Sequence, residues 1–253
     1  MQIMNRISNV VAGGLILCVV CLSSCAAPQK PGPASTRASA SPTYTGPLPD
    51  AWYAVWSPLG EPPLIEFHFA PPQDMYAGEV HRASGHLRFG KGLTFDRARG
   101  KFAVHVHAVD MGEDELTANV QNAIDMLDQR RFPKIHYEIR SITSNAEKLT
   151  FGVATPIQLH GLFKLKGVTV PLDVDATALL TLDDSELPIL LLTGSFTLAN
   201  LKNRFDVTGP GEPDSPEANT VILDFRFPLV PEKRANAIRA KELSERKPYS
   251  ELP

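Results

Sequence analysis

Apolar and polar residues alternate with a period of two along much of this chain. The clearest stretches are 102–109, 135–140 and 221–227. Alternation of this kind indicates strands with one face against a core. Other segments of suitable length and apolar character are 52–56, 64–69, 86–89, 149–154, 162–165, 168–177 and 189–198. Together they predict roughly eight to ten strands, typical of a β-sandwich or β-barrel.

In segment 113–127 the apolar spacing changes to that of a helix. Leu116, Val120, Ile124 and Leu127 lie four, four and three positions apart, which places them on one helical face. Acidic side chains crowd the start, where the helix dipole favours anions. We therefore expect one short helix between strands, suited to cover an open end of a barrel.

The beginning of the chain has the layout of a bacterial lipoprotein signal. Arg6 is its one charge, and the apolar run 10–22 is shorter than the roughly 20 residues of a membrane-spanning helix. The motif Leu22-Ser23-Ser24-Cys25 then resembles a lipobox, in which cleavage before the cysteine leaves a thiol that is acylated with fatty chains such as palmitate. We predict that Cys25 is lipidated. The alternative is an ordinary signal peptide with an incidental cysteine.

The sequence suggests four consecutive regions. Residues 1–24 are the predicted signal peptide, and 25–49 are the lipidated cysteine with a tether rich in Pro, Ala and Ser. Residues 50–231 have the length and apolar content of one domain. In the charged tail, 232–253, we expect a frayed helix or disorder.

The charge balance argues against nucleic acid as a partner. Removal of the signal leaves 24 basic and 28 acidic side chains, and no run of Lys and Arg provides a surface for phosphates. The predicted location is instead the bacterial cell envelope. There the lipid anchor would hold the protein outside the cytoplasm, on the periplasmic face of a membrane.

Most sequence motifs that would mark an enzyme are absent from this chain. It has no nucleophile elbow, no phosphate-binding loop and no His-Glu-x-x-His helix. Thiol catalysis is excluded because no cysteine follows Cys25. We therefore expect a protein that is not an enzyme and needs no cofactor.

Two histidines are weak candidates for a metal site. His105 and His107 are two positions apart, so a strand would point both imidazoles to one side, and His136 from another strand would be a third ligand. The favoured interpretation is that these rings lie on a solvated face opposite Phe102 and Val104.

The densest aromatic group lies in the first predicted strand. Trp52, Tyr53 and Trp56 either seal the bottom of a barrel, which we favour, or form a lip that touches lipid or ligand.

Several segments, in order, resemble the YceI-like family of periplasmic proteins. The strongest similarity is 161–172, where a strand that opens with Gly161 runs into Gly-Val-Thr and a second strand. A second is 126–137, a helix end followed by Phe-Pro and a strand. Weaker similarities lie at 84–87, at 93–96 and at 203–207.

The resemblance implies an all-β fold, an antiparallel lipocalin-like barrel of about eight strands with one short helix between strands. It also implies binding of polyisoprenoids or related long apolar molecules, such as quinones or fatty-acyl chains. The predicted ligand-binding residues are Leu87, Phe89, Val104, Val106, Phe132, Ile135, Tyr137, Phe163, Leu165, Leu172, Phe196, Leu198 and Phe225.

A barrel of this size either holds one slender ligand or is filled by its own side chains. The alternative function is therefore a structural or interaction lipoprotein with a filled barrel that docks an envelope partner. Alternation does not distinguish a cavity from a packed core, and the oligomeric state stays open.

Overall fold

The computed structural model describes residues 44–55, 62–71, 76–209, 215 and 219–245. The predicted signal peptide, Cys25, most of the predicted tether and Trp56 lie outside these residues. None of the helices in the described ranges is long and apolar enough to cross a membrane.

The described residues form eleven strands and three helices. The strands are β1 (Ala51–Ala54), β2 (Ile65–Phe69), β3 (Ala77–Val80), β4 (Ala83–Arg88), β5 (Arg99–His105), β6 (Val109–Asp110), β7 (Lys134–Thr143), β8 (Ala154–Leu165), β9 (Val168–Leu182), β10 (Pro188–Leu198) and β11 (Val221–Pro231). The helices are α1 (Asp114–Asn122), α2 (Leu201–Phe205) and α3 (Glu232–Glu245), with a 3-10 turn at Val106–Ala108.

Eight of the strands close into a barrel. The order β1-β4-β5-β7-β8-β9-β10-β11 returns to β1, and every neighbouring pair is antiparallel. Closure leaves these eight strands without a free edge. The predicted antiparallel, lipocalin-like barrel is therefore confirmed.

Three short strands extend the wall at one end. The last residues of β11 pair with β1, whereas its first residues pair with β2, as in Phe225 opposite Ile65. Strand β3 then pairs with β2, and β6 pairs with β3. Strands β5 and β8 end here, and strands β7, β9 and β11 begin here. We call this end of the barrel the cap end.

The hairpin of β8 and β9 is the longest in the barrel. Its two-residue turn, Lys166-Gly167, has positive φ at both positions, 46° and 79°. This conformation matches the twist of the flanking strands, and glycine adopts it without strain. The hairpin expected at 161–172 is confirmed, although β8 starts eight residues earlier than the predicted strand 162–165.

Two expected elements differ from the structure. The helix ends at Asn122 rather than Leu127, because the chain folds back and the Leu127 N–H donates to the Val120 carbonyl. Ile124 is consequently 72% exposed instead of lying on the apolar face. The predicted strand 149–154 forms only an isolated bridge at Phe151, since Gly152 turns the chain at φ 74° before β8 begins.

The C-terminal tail begins as a regular helix, where we expected a frayed helix or disorder. Ala235 of α3 is fully buried, and α3 packs against β1 and β11. Arg234 of the same helix donates a hydrogen bond to Asp183 in the β9–β10 turn. Asp183 also accepts the backbone N–H groups of Ser185 and Leu187 at 2.9 and 3.1 Å.

We expect Asp183→Asn to loosen α3. Burial alone would raise the pKa of Asp183, but the hydrogen bonds from Arg234 and the turn hold this pKa below its usual value of 3.8. The charged contact therefore stabilises the fold above pH 3.8 and is lost as the pH falls below it. Urea unfolding at pH 7 should show a loss of about 2 kcal/mol and a weaker acid dependence. Asp184→Asn, at the exposed neighbouring position, is the control; equal losses in both variants would contradict this role.

Candidate ligand-binding cavity

The barrel interior divides into a packed end and a hollow end. At the packed end, side chains from β1, β4 and the loops beyond them interlock in one cluster around Trp52, which is fully buried. Phe89 and Phe95 meet edge to face with their ring centroids 6.0 Å apart. This end is filled and closed.

The hollow part runs from the middle of the barrel toward the cap end and has a volume of about 180 Å³. Its wall is apolar apart from Tyr137 and His136. The sheet alternation turns the His136 ring outward, because its neighbours Ile135 and Tyr137 face inward. We call the part of the cavity next to the packed end its deep part. Lining residues there, which also belong to the cluster around Trp52, are Phe102, Ile139, Leu159, Val174, Leu192 and Phe227.

Aromatic rings form much of the wall toward the cap end. Phe163 lies edge to face with both Phe196 and Phe205, at centroid distances of 6.2 and 5.9 Å. Phe225 lies 6.3 Å from Phe196. Phe163, Phe196 and Phe225 come from β8, β10 and β11 and line the cavity, whereas Phe205 of α2 packs against Phe163 outside the wall. Residues distant in sequence thus make one apolar surface.

The Tyr137 hydroxyl is satisfied within the wall itself. It lies 2.9 Å from the Leu159 carbonyl oxygen and 3.0 Å from that of Leu172, so it can donate to either one. Burial raises the pKa of Tyr137, with Asp173 adding to the effect. The ring fits because Gly161 has no Cβ; one built there would lie 2.7 Å from the Tyr137 Cε2. The cavity is thus chemically apolar despite its tyrosine.

Helices and a loop cover the open end. We call α1, the following loop 123–133 and α2 the cap; its residues Val120, Met126, Leu127 and Leu201 line the cavity. Lys166, at the tip of the β8–β9 hairpin, joins the two halves of the cap. Its Nζ donates to the Ile124 carbonyl at 2.7 Å and to the Asp206 carbonyl at 2.5 Å. Burial lowers the pKa of Lys166, and the carboxylates of Asp206 and Asp128 oppose this shift.

Lys166→Met is expected to destabilise the cap, because two carbonyls lose a charged donor at a position only 5% exposed. The free energy of unfolding should fall by about 3 kcal/mol. Amide hydrogen exchange should quicken around Ile124 and Asp206 more than at the packed end. The matched control is Lys164→Met, at an exposed position of β8 two residues before Lys166; a comparable loss there would contradict the role of Lys166.

Comparison with known proteins agrees with this architecture. The YceI-like domain matches residues 65–226, well over half of the chain. The chain belongs to the YceI-like family. No curated protein sequence matches it.

Solved structures similar to this YceI-like chain come from several bacteria. BcnA of Burkholderia cenocepacia has a TM-score of 0.51 at 15% identity and covers 65% of this chain and 94% of its own. The YceI protein of Campylobacter jejuni has a TM-score of 0.48 at 9% identity, covering 60% and 82%. A polyisoprenoid binding domain from Saccharophagus degradans has a TM-score of 0.44 at 8% identity, covering 71% and 93%. The similarity to BcnA supports the shared fold.

Most of the residues predicted to bind ligand lie on the wall of this YceI-like cavity. Those that line it are Val104, Ile135, Tyr137, Phe163, Leu165, Leu172, Phe196, Leu198 and Phe225. Their role in binding stays a prediction. The structure brings them together because each faces inward on a barrel strand or at its cap end.

Four of the predicted residues lie elsewhere. Leu87 and Phe89 belong to the packed end, where the interior is filled. Val106 is buried but sits in the 3-10 turn after β5, outside the cavity wall. Phe132 packs beside Gly167 at the hairpin tip. Leu87 and Phe89 were included because inward alternation does not tell the packed end of a barrel from the hollow end.

The cavity residues contributed by the cap and the short strands were not predicted from the sequence. Met111, Met126 and Val207 lie in loops, where no periodicity marks them, and Val109 lies in the two-residue β6. Methionine is adaptable enough to fill irregular apolar gaps. The one available signal was the apolar helical face, which does supply Val120 and Leu127 to the wall.

The predicted histidine pair is arranged differently from expectation. Strand β5 ends at His105, and the 3-10 turn then brings His107 beside it, with ring centroids 5.1 Å apart. Within the described residues no three His, Cys, Asp or Glu side chains are grouped so as to hold a metal ion. Burial, then Lys134 and His107, lower the pKa of His105.

Proposed function

We propose that this protein is a lipid-anchored extracytoplasmic carrier that holds one long apolar molecule in its barrel. The observation that supports the proposal best is the hollow cavity, whose wall is apolar apart from Tyr137 and His136. Its volume of about 180 Å³ exceeds the roughly 150 Å³ of an apolar cavity that stays dry and binds benzene. An apolar segment entering it would displace no ordered polar contact.

The energetics favour an isoprenoid, quinone or fatty-acyl chain. Each methylene group transferred from water contributes about 0.8 kcal/mol. Among the described residues no Asp, Glu, Lys or Arg side chain lines the cavity, and the Tyr137 hydroxyl is already hydrogen-bonded within the wall. The YceI-like fold supports binding of this kind in general. Binding of this kind requires no chemical step, which fits the expected absence of enzymatic activity.

The filled-barrel alternative accounts for the packed end around Trp52 but leaves the hollow end unexplained. A protein that used only its outer surface would gain stability from filling that space. The carrier proposal explains both ends, since one closes the barrel and the other receives the ligand.

Copurifying lipid is the test of the carrier proposal. The full chain is purified from its own host, weighed by native mass spectrometry, and extracted with organic solvent. We expect an adduct with the mass of a prenyl, quinone or acyl molecule that disappears on extraction. The extracted protein should then take up fluorescent acyl or prenyl probes with one site per chain. Repeated absence of an adduct together with no probe uptake would contradict the proposal.

The anchor is tested separately. Metabolic labelling with a palmitate analogue should mark the wild-type chain in the membrane fraction. Cys25→Ser removes the only thiol after the predicted signal, so the label and the membrane association should both be lost. A labelled or membrane-bound Cys25→Ser chain would contradict anchoring at this residue.

A further inference from the structure

A second recess lies on the outside of the barrel, unconnected with the apolar ligand. It is a groove of about 380 Å³ between α3 and the outer face of β1, β4, β5 and β7. Ser84 and Ala103, partners across β4 and β5, make a floor of small side chains. Larger side chains that point outward from neighbouring strand positions surround this floor.

Basic side chains surround that floor on several sides. His86 and Lys101 are cross-strand partners on one side, and His136 is the partner of Ala103 on the other. Lys134 of β7 also lines the groove. Arg239 of α3 reaches over from the helix, with its guanidinium 5.9 Å from the centre of the Tyr53 ring.

The positive charge of the groove is not neutralised locally. Lys101, Lys134 and Arg239 form no ion pair with a carboxylate in the part of the chain that the structure describes. Glu138, opposite Lys101, is engaged with Arg140 at 3.6 Å. Such a cluster of basic side chains is notable in a chain whose formal net charge is −3.

The basic side chains of the groove affect the protonation of His136. Burial and then Lys101, Lys164, Lys134 and His105 lower its pKa, so a neutral ring is favoured. Its Nδ1 atom is buried and has no hydrogen-bond partner. A group with acceptor oxygens in the groove would supply a partner for an N–H at this position and would offset the repulsion among the cations.

We propose that this groove binds a phosphate group, either free in solution or on a phospholipid headgroup. A tetrahedral anion suits the arrangement, because the donors come from several directions, namely two lysines, an arginine and two imidazoles. The small floor of Ser84 and Ala103 leaves room for the anion to approach the sheet. This inference does not depend on what occupies the barrel interior.

The test uses the full chain carrying Cys25→Ser, so that an acyl anchor does not attach it to vesicles. Inorganic phosphate is titrated while the ring resonances of His136 are followed by NMR. Separately, cosedimentation is measured with vesicles of phosphatidic acid in phosphatidylcholine and with phosphatidylcholine alone. We expect saturable binding in at least one arm, and bound phosphate should raise the pKa of His136.

The double variant Lys101→Gln, Lys134→Gln should weaken that binding by about thirtyfold, since each lysine near a phosphate surface contributes about fivefold. The charge-matched control is Lys91→Gln, Lys148→Gln, at exposed positions away from the groove. Binding of inorganic phosphate in the NMR titration would show that the groove accepts a soluble phosphate. Binding only to vesicles that contain phosphatidic acid would show that it accepts a phospholipid headgroup. No binding in either arm, or equal weakening by both double variants, would overturn the proposal.

Discussion

Val174→Phe is expected to lower the affinity for an acyl or prenyl probe by about fiftyfold while leaving the barrel folded. Val174 is 2% exposed and faces the deep part of the cavity opposite Leu159. A phenyl ring there would occupy space that the ligand needs. Exclusion of three methylene groups removes about 2.4 kcal/mol of binding free energy. Probe titration measures the affinity.

Val153→Phe is the matched control for this substitution. Val153 is 51% exposed and lies outside the cavity wall, so the same change in side chain leaves the interior unaltered. Its affinity should equal that of the wild type. Unchanged binding in Val174→Phe, with the fold intact by circular dichroism, would place the ligand somewhere other than the cavity.

Trp52→Ala should cost about 4 kcal/mol of unfolding free energy, the largest stability effect we expect for a single residue. Trp52 is fully buried at the centre of the packed end, where removal of the indole leaves a cavity that its neighbours fill only in part. Denaturant unfolding measures the loss. Because Trp52 is not part of the cavity wall, the folded variant should still take up the apolar probe with unchanged stoichiometry.

Trp52→Phe separates packing from hydrogen bonding at this position. The indole Nε1 atom is buried without a hydrogen-bond partner, so phenylalanine removes an unsatisfied donor while keeping an aromatic ring. Its cost should be well below that of Trp52→Ala. Equal losses in the two variants would show that the ring volume is not what stabilises this end.

Sequence alternation predicted the barrel well because its inward and outward residues differ in polarity. In β7, Ile135, Tyr137 and Ile139 face inward, whereas His136 also borders the groove on the outer face, as the alternation requires. The pattern was weakest where regular geometry stops. The stretch 102–109 reads as one strand, but the 3-10 turn Val106–Ala108 divides it into β5 and β6. Strand β6 has only two residues, too few to show any alternation.

The hollow interior could not be derived from the sequence. Leu87 and Leu165 have the same apolar character and the same inward orientation, yet one is in the packed cluster and the other lines the cavity. The difference depends on whether side chains from several strands and the cap together fill the barrel interior at that level. A single strand contains no information about that volume. The basic groove was likewise hidden, because its residues are scattered along the chain and meet only when β1, β4, β5, β7 and α3 come together.

The proposal that the barrel interior holds an apolar chain is tested most directly by NMR of a loaded complex. The extracted protein, with labelled Ile, Leu and Val methyl groups, is loaded with a uniformly carbon-13-labelled acyl or prenyl chain. We predict intermolecular contacts from the chain to the methyl groups of Leu159, Val174 and Leu192, deep in the wall. Contacts confined to exposed methyl groups such as those of Ile124 and Val153 would contradict a ligand inside the barrel.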